Sequence, residues 1–138
     1  MTTVMVSGGF DPVHVGHIDL LRNAAKFGDV VVVVMSDQWV VRKKGYCVMT
    51  MRDRADIISS VRYVDRVILC GYESENISLT ITEEMPDMFC NGGDRTEANE
   101  AEHLACVEVG VVEAFNVGGK KRRSSSELVE NPLKGYLP

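Results

Sequence analysis

The stretch of sequence that most restricts the fold is an uninterrupted apolar run at residues 30–35, five valines followed by a methionine. The run does not alternate between apolar and polar residues, so a strand built from it is apolar on both faces. Such strands occur inside parallel sheets that are covered by helices on each side. The run therefore predicts an α/β protein whose second strand is fully buried.

The rest of the chain repeats the pattern of a strand followed by a helix. Strands are predicted at residues 3–7, 30–35, 66–70, 87–90 and 111–115. Helices are predicted at residues 18–27, 50–63, 74–85 and 96–109, with a short last helix opening at Ser124 and a loop or short helix at residues 37–49. This order indicates a Rossmann-like, doubly wound, five-stranded parallel sheet with helices on both faces. Residues 1–138 contain no repeat and no linker, so we expect a single domain.

Composition and charge exclude several classes of function. No apolar run approaches the ~20 residues that span a bilayer, no signal peptide is present, and four cysteines without C-x-x-C spacing indicate reduced thiols and a cytoplasmic location. The net charge is −5, which argues against nucleic acid as a partner. Positive charge is concentrated at residues 42–44 and 120–123, an arrangement suited to a small polyanion.

The turn after the first strand carries the clearest chemical signal. Residues 7–17 read Ser-Gly-Gly-Phe-Asp-Pro-Val-His-Val-Gly-His, with His14 and His17 three residues apart where a helix begins. At that spacing two side chains share one helix face. The unpaired backbone N–H groups of a helix start attract anions. The turn therefore predicts a phosphate site.

A second glycine-rich turn, at residues 91–95, follows the fourth predicted strand. Ligands of doubly wound sheets bind beyond the carboxyl ends of the strands, where the strand order reverses. If the first and fourth strands flank that point, the two turns face each other across one crevice. A third element, the basic segment before Ser124, opposes the dipole of the helix that follows, and a bound phosphate would remove this conflict.

The string Gly-x-Phe-Asp-x-x-His-x-Gly-His resembles the signature of the cytidylyltransferase-like nucleotidyltransferase superfamily. Residues 54–58 and 61–68 resemble glycerol-3-phosphate cytidylyltransferases, whereas residues 91–94 look more like heptose-phosphate adenylyltransferases. Residues 124–126 stand at the place of the family's Ser-Thr-Thr element. Residues 118–123 depart from the Arg-Thr-Glu-Gly segment expected just before it, so CTP and ATP both remain open, with CTP slightly favoured.

The resemblance implies transfer of a nucleoside monophosphate, with CMP slightly favoured, to a small phosphate- or phosphonate-bearing acceptor, with release of pyrophosphate. The alternatives are an adenylyltransferase using ATP on a sugar phosphate and a non-catalytic nucleotide-binding module. Mg²⁺ carried by the nucleotide and a homodimer are also expected, with no protein metal ligands, no nucleic acid and no membrane. The residues expected to be catalytic are His14, His17, Lys44, Arg54 and Ser125. The residues expected to bind nucleotide are Gly8, Gly9, Phe10, Asp11, Gly16, Lys43, Asn91, Gly92, Asp94, Arg123, Ser124 and Ser126. Asp11 suits a structural turn with Pro12. Trp39 could line the acceptor pocket, but a place in the core or at a subunit contact is favoured.

Overall fold

Five parallel strands form the sheet of a computed structural model, which describes residues 2–70, 77–92, 100–120 and 122–131. The strands are β1 (Thr3–Gly8), β2 (Asp29–Val34), β3 (Val64–Leu69), β4 (Met88–Cys90) and β5 (Val112–Ala114). They lie in the order β3-β2-β1-β4-β5. The order reverses between β1 and β4, as the crevice prediction requires, and the predicted fold class is confirmed.

Helices cover both faces of this sheet. They are α1 (Val15–Ala24), α2 (Asp37–Lys44), α3 (Met51–Ser59), α4 (Ser78–Glu84), α5 (Glu100–Val109) and α6 (Ser125–Glu130). Successive residues of β1 point to opposite faces: Val4 and Val6 pack with α1 and α3, and Met5 packs with α4 and α5. The five valines of β2 are at most 1% exposed, because both of their faces lie under helices.

Several boundaries differ from the predicted ones. Helix α1 begins three residues earlier than predicted because His14 serves as its N-cap. Residues 37–44 form a helix, capped by the Ser36 hydroxyl and ended by Gly45 at φ +90°. Helix α3 ends at Ser59 rather than residue 63, and Ile77 is non-helical, so α4 starts later than predicted. Among the described residues, no helix has the length and apolarity needed to cross a membrane.

Candidate active site

A cavity of about 340 Å³ opens at the carboxyl ends of β1 and β4, beside the start of α1. Its volume falls within the ~300–1,000 Å³ typical of small-molecule sites. The predicted residues that line it are His14, Gly16, His17, Gly92, Arg123, Ser124, Ser125 and Ser126. The other lining residues are Ser7, Leu20, Gly118, Gly119 and Lys120, of which Ser7 lies in the histidine turn and Lys120 in the second basic cluster. The topology thus unites the histidine turn, the end of β4 and the basic segment before α6.

The two histidines form a reciprocal cap at the start of α1. The Gly16 backbone N–H donates to Nδ1 of His14 at 3.0 Å, and the His14 backbone N–H donates to Nδ1 of His17 at 3.1 Å. The two rings are stacked, with 3.8 Å between their centroids. Because each Nδ1 accepts a hydrogen bond, the proton of each neutral ring is on Nε2.

This cap adds side-chain donors to the expected source of anion binding. Two of the backbone N–H groups at the helix start, those of His14 and Gly16, already donate to imidazole nitrogens. The imidazole Nε2–H groups are therefore donors to a phosphate here, beside the main-chain amides that the cap does not use. A Cβ at Gly16 would lie 2.9 Å from Cε1 of His14, so this arrangement of the ring needs glycine at that position.

His17 is held in its neutral form. Burial, and to a smaller extent positive charge at His14 and at Lys44, lowers its pKa from 6.5 to about 3. The edge of the Phe10 ring packs against it, with 4.9 Å between ring centroids. A neutral imidazole with its proton on Nε2 is a hydrogen-bond donor at any ordinary pH.

The basic serine turn, of which residues 118–120 and 122–126 are described, forms the opposite wall. The Ser125 hydroxyl donates to the Pro12 carbonyl at 2.8 Å, which ties this turn to the histidine turn. The Ser124 side chain caps α6 by accepting from the Glu127 N–H at 3.5 Å. Lys120 and Arg123, both exposed, add positive charge to this wall.

A buried carboxylate that the sequence did not point to holds the other end of this turn. Asp19 of α1 is 9% exposed and accepts two hydrogen bonds from Arg122, at 2.6 and 2.8 Å. Arg22 donates to the same carboxylate at 3.0 Å. The hydrogen bond from Arg122 lowers the pKa of Asp19. Arg122 therefore holds the turn in place, whereas Arg123 faces the cavity.

A second cavity, of about 300 Å³, adjoins the first and shares His17, Ser125 and Ser126 with it. Its remaining lining residues are Gly9, Phe10, Asp11, Trp39, Val40, Lys43 and Lys44. Trp39 therefore lies at a cavity wall, a place that the sequence left open, and it also packs against the core. The ammonium group of Lys44 donates to the Asp11 carbonyl and lies 3.7 Å from the Asp11 carboxylate.

Arg54 lines neither cavity, and its predicted catalytic role is corrected to a positioning one. Its side chain is fully buried and donates to the carbonyl oxygens of Met49, Gly9 and Met35 at 2.7–2.9 Å. It also pairs with the Asp37 carboxylate at 2.6 Å. These contacts join the histidine turn to the end of β2 and to the start of α3.

Asp11 has a comparable structural role, as its Asp-Pro sequence suggested. It is 1% exposed, and its carboxylate accepts from the backbone N–H groups of Val48 and Met49, both at 2.7 Å. Although Asp11 lies at the second cavity, both of its oxygens are held by the main chain. The sequence thus identified both this turn and the structural character of Asp11 within it.

The remaining predicted residues divide by position. Gly8 and Asn91 line neither cavity; the Gly8 carbonyl accepts from Met35, and the Asn91 main chain bonds to β5 and to Val117. Gly92 does line the first cavity, where an added Cβ would lie 2.9 Å from Cδ2 of Leu20. Asp94 lies outside the described residues. Within the described ranges, no group of three or more His, Cys, Asp or Glu side chains could hold a metal ion.

The chain was then compared with known proteins. A family model described as cytidylyltransferase-like matches residues 5–131. The FAD synthase of Thermoplasma acidophilum is 38% identical over 96 residues, which cover 69% of this chain and 66% of that protein. The bifunctional protein HldE of Erwinia tasmaniensis is 38% identical over 94 residues, covering 66% of this chain and 19% of that protein. A crystal structure described as the lipopolysaccharide core biosynthesis protein from Thermoplasma volcanium superposes with a TM-score of 0.69 at 34% identity, covering 84% of this chain and 94% of the other.

These matches confirm the superfamily that the histidine signature indicated. The chain spans slightly less than two thirds of the FAD synthase and about a fifth of HldE. No described residue of either cavity identifies the base of a nucleotide.

Proposed function

We propose that this chain, which belongs to the cytidylyltransferase-like family, is an adenylyltransferase that transfers AMP from ATP to a small phosphorylated acceptor and releases pyrophosphate. The similarity to proteins named FAD synthase supports ATP as the donor, because FAD is AMP joined to FMN through a pyrophosphate bond. The match to HldE supports a sugar phosphate as a second candidate acceptor. Transfer of CMP, the slightly favoured expectation from the sequence, becomes the less supported reading.

The observation that carries the proposal is the capped, stacked histidine pair facing the basic serine turn. In the reaction, an oxygen of the acceptor phosphate attacks the α-phosphorus of ATP, and the bond from that phosphorus to the bridging oxygen of pyrophosphate breaks. Negative charge grows on the α-phosphoryl oxygens and on the leaving pyrophosphate. Nε2–H groups of His14 and His17, fixed before substrate arrives, are placed to donate to those oxygens.

The positive side chains around the two cavities have distinct roles in this scheme. Lys120 and Arg123 face the first cavity and would neutralise the leaving pyrophosphate. Lys43 and Lys44 line the second cavity, where the acceptor phosphate would approach across His17. No side chain acts as a covalent nucleophile, because the acceptor supplies its own oxyanion. Catalysis is then positioning and charge stabilisation.

Three further expectations belong to this proposal. Mg²⁺ would be carried by the triphosphate, since it keeps water and substrate oxygens as ligands and the described residues offer no protein cage. When bound, it would neutralise phosphate charge. A homodimer and a cytoplasmic location also stay predictions, which sedimentation velocity and cell fractionation test.

An assay of pyrophosphate release tests which nucleotide and which acceptor react. ATP and CTP are each tested with FMN, a heptose phosphate and glycerol 3-phosphate as acceptors. We expect release with ATP and a phosphorylated acceptor, and a roughly 10²–10³-fold loss of kcat in His17→Ala, because one donor to the developing charge is removed. His103→Ala, which removes the third histidine of the chain, is the matched control and should keep full activity.

The outcomes separate the competing functions. Preference for CTP would restore the cytidylyl reading. Tight ATP binding with no pyrophosphate release under any acceptor would indicate a non-catalytic nucleotide-binding module. Survival of activity within a few-fold in a folded His17→Ala variant would overturn the role assigned to the histidine pair.

A further inference from the structure

We propose that Trp39 determines acceptor specificity, by stacking its indole against a planar aromatic ring of the acceptor in the second cavity. The proposal rests on the proposed function, because it assigns the second cavity to the acceptor. The class of acceptor it names is an aromatic phosphate ester, such as a flavin mononucleotide, in preference to a sugar phosphate.

The wall of the second cavity is apolar where the acceptor's body would lie. Phe10, Trp39 and Val40 form this part of the lining. Phe10 and Val40 are 3% and 1% exposed, so they are fixed parts of the core. A sugar bears a hydroxyl on nearly every carbon, and each hydroxyl would need a hydrogen-bond partner when it loses water. A flat aromatic ring has no such need on its faces.

The side chain of Trp39 is partly buried and packs against the core before any ligand binds. Its backbone N–H donates to the Ser36 hydroxyl at 3.1 Å, in the N-cap of α2. A Cβ on Gly9 would lie 3.4 Å from Cζ3 of Trp39, so the indole packs along the glycine backbone on that side. A stacking surface that is already ordered loses little conformational entropy when a ligand arrives.

A cation already lies over the indole. The ammonium nitrogen of Lys43 is 5.1 Å from the Trp39 ring centroid, which is a cation–π distance. Both residues line the second cavity, so this ring face is within reach of a group inside it. Lys43 has a flexible, exposed stem, and it can exchange its position over the ring for one beside the acceptor phosphate. An electron-poor aromatic ring of the acceptor would then replace the Lys43 ammonium group over the indole.

The position of this stacking surface also suits the chemistry. His17, Ser125 and Ser126 are shared by the two cavities. A phosphate linked to a ring on Trp39 would therefore point towards the junction where the α-phosphorus of ATP would sit. Lys44, tied to Asp11, lies on the same wall and provides positive charge along that path.

The test uses flavin fluorescence, excited in the visible band where tryptophan does not absorb. FMN is titrated with the full chain in the presence of a non-hydrolysable ATP analogue, and we expect quenching of the flavin on binding. In Trp39→Leu we expect FMN affinity and kcat/KM to fall about 10- to 100-fold, the effect typical of losing one aromatic stacking partner. Trp39→Phe should recover most of the loss, because it restores a ring.

A non-aromatic acceptor provides the internal control. Any turnover of glycerol 3-phosphate or heptose phosphate should be unchanged within about two-fold in Trp39→Leu, because these acceptors cannot stack. Trp39 is the only tryptophan of the chain, so quenching of intrinsic fluorescence by FMN reports directly on this residue in the parent protein.

Three results would overturn the inference. Equal binding and turnover of FMN by Trp39→Leu and by the parent protein would exclude stacking. Adenylylation of sugar phosphates with no FMN binding would leave the proposed function standing and refute the specificity. An equal loss for every acceptor would show that Trp39 only supports the fold. If no nucleotide gives pyrophosphate with any acceptor, the proposed function fails, and the FMN titration still decides whether Trp39 binds aromatic rings.

Discussion

We expect His17 to make the stability of this protein fall as the pH is lowered from 7 to 5. Its pKa is about 3 in the folded protein and 6.5 as the reference value for the unfolded chain. As the pH falls, the unfolded chain binds a proton on this side chain first. The contribution of His17 to the free energy of unfolding is therefore complete above pH 6.5 and is lost progressively as the pH falls towards 3.

The size of the effect follows from the two pKa values. In the unfolded chain, His17 is about a quarter protonated at pH 7 and almost fully protonated at pH 5, whereas in the folded protein it stays neutral at both. Integrating this difference gives a loss of about 2 kcal/mol in the free energy of unfolding between pH 7 and pH 5. That is a large fraction of the ~5–15 kcal/mol that stabilises a typical domain.

Urea unfolding at pH 7 and at pH 5 measures this loss in the parent protein and in His17→Gln. Glutamine suits the comparison because its amide oxygen can accept from the His14 N–H, as in a capping box, and it does not titrate. Other titrating groups contribute equally to both proteins, so the parent should lose about 2 kcal/mol more than the variant. His103→Gln, which leaves His17 in place, should keep the parent's full loss. An equal loss in the parent and in His17→Gln would refute the buried neutral imidazole.

Three substitutions test the residues around the histidines. Asp19→Asn removes the charge that holds Arg122. In steady-state kinetics we expect KM for ATP to rise about ten-fold while kcat stays within a few-fold. A lower kcat at unchanged KM would contradict the role of Asp19 in holding the basic serine turn. Arg54→Met leaves three carbonyl acceptors without their donor, at about 1–3 kcal/mol for each acceptor that stays buried, so urea unfolding should show a loss of about 3–5 kcal/mol in total. Arg54→Lys should not rescue this loss because lysine lacks the planar fork; wild-type stability in either variant would refute the positioning role of Arg54. Gly16→Ala places a methyl group 2.9 Å from the His14 ring, so activity should fall at least ten-fold. Stability should stay near that of the parent protein, because alanine gains about 1 kcal/mol of helix propensity over glycine. Full activity would show that the position of the His14 ring is not critical.

The elements that could be predicted are those with a local signal. The valine run identified β2 because a strand buried on both faces has no polar positions, and the histidine signature identified the turn after β1. The reversal of strand order between β1 and β4 was a condition of the crevice hypothesis, and the observed order meets it. The valine run and the histidine signature each need only residues that are close together in sequence.

The residues that escaped prediction depend on contacts between distant segments. Asp19 and Arg122 are 103 residues apart, and nothing near Asp19 in the sequence indicates a partner. Arg54 matched a family position near substrate, yet its guanidinium is used by main-chain carbonyls on three segments. Trp39 has a large apolar side chain of the kind expected in a core, and only the packing of α2 against Gly9 places it at a cavity. For such residues the deciding information is three-dimensional.

The histidine pair connects folding with chemistry, because the same hydrogen bonds serve both. Nδ1 of each ring accepts a main-chain N–H of the α1 cap, and this fixes the proton on Nε2. A serine or aspartate cap would satisfy the helix equally well, but it would leave no N–H donor for a phosphate. The anion site that a bare helix start provides through its amides thus gains side-chain donors. Because burial keeps His17 neutral, its ring provides a hydrogen-bond donor but no positive charge at the pH where the reaction would run.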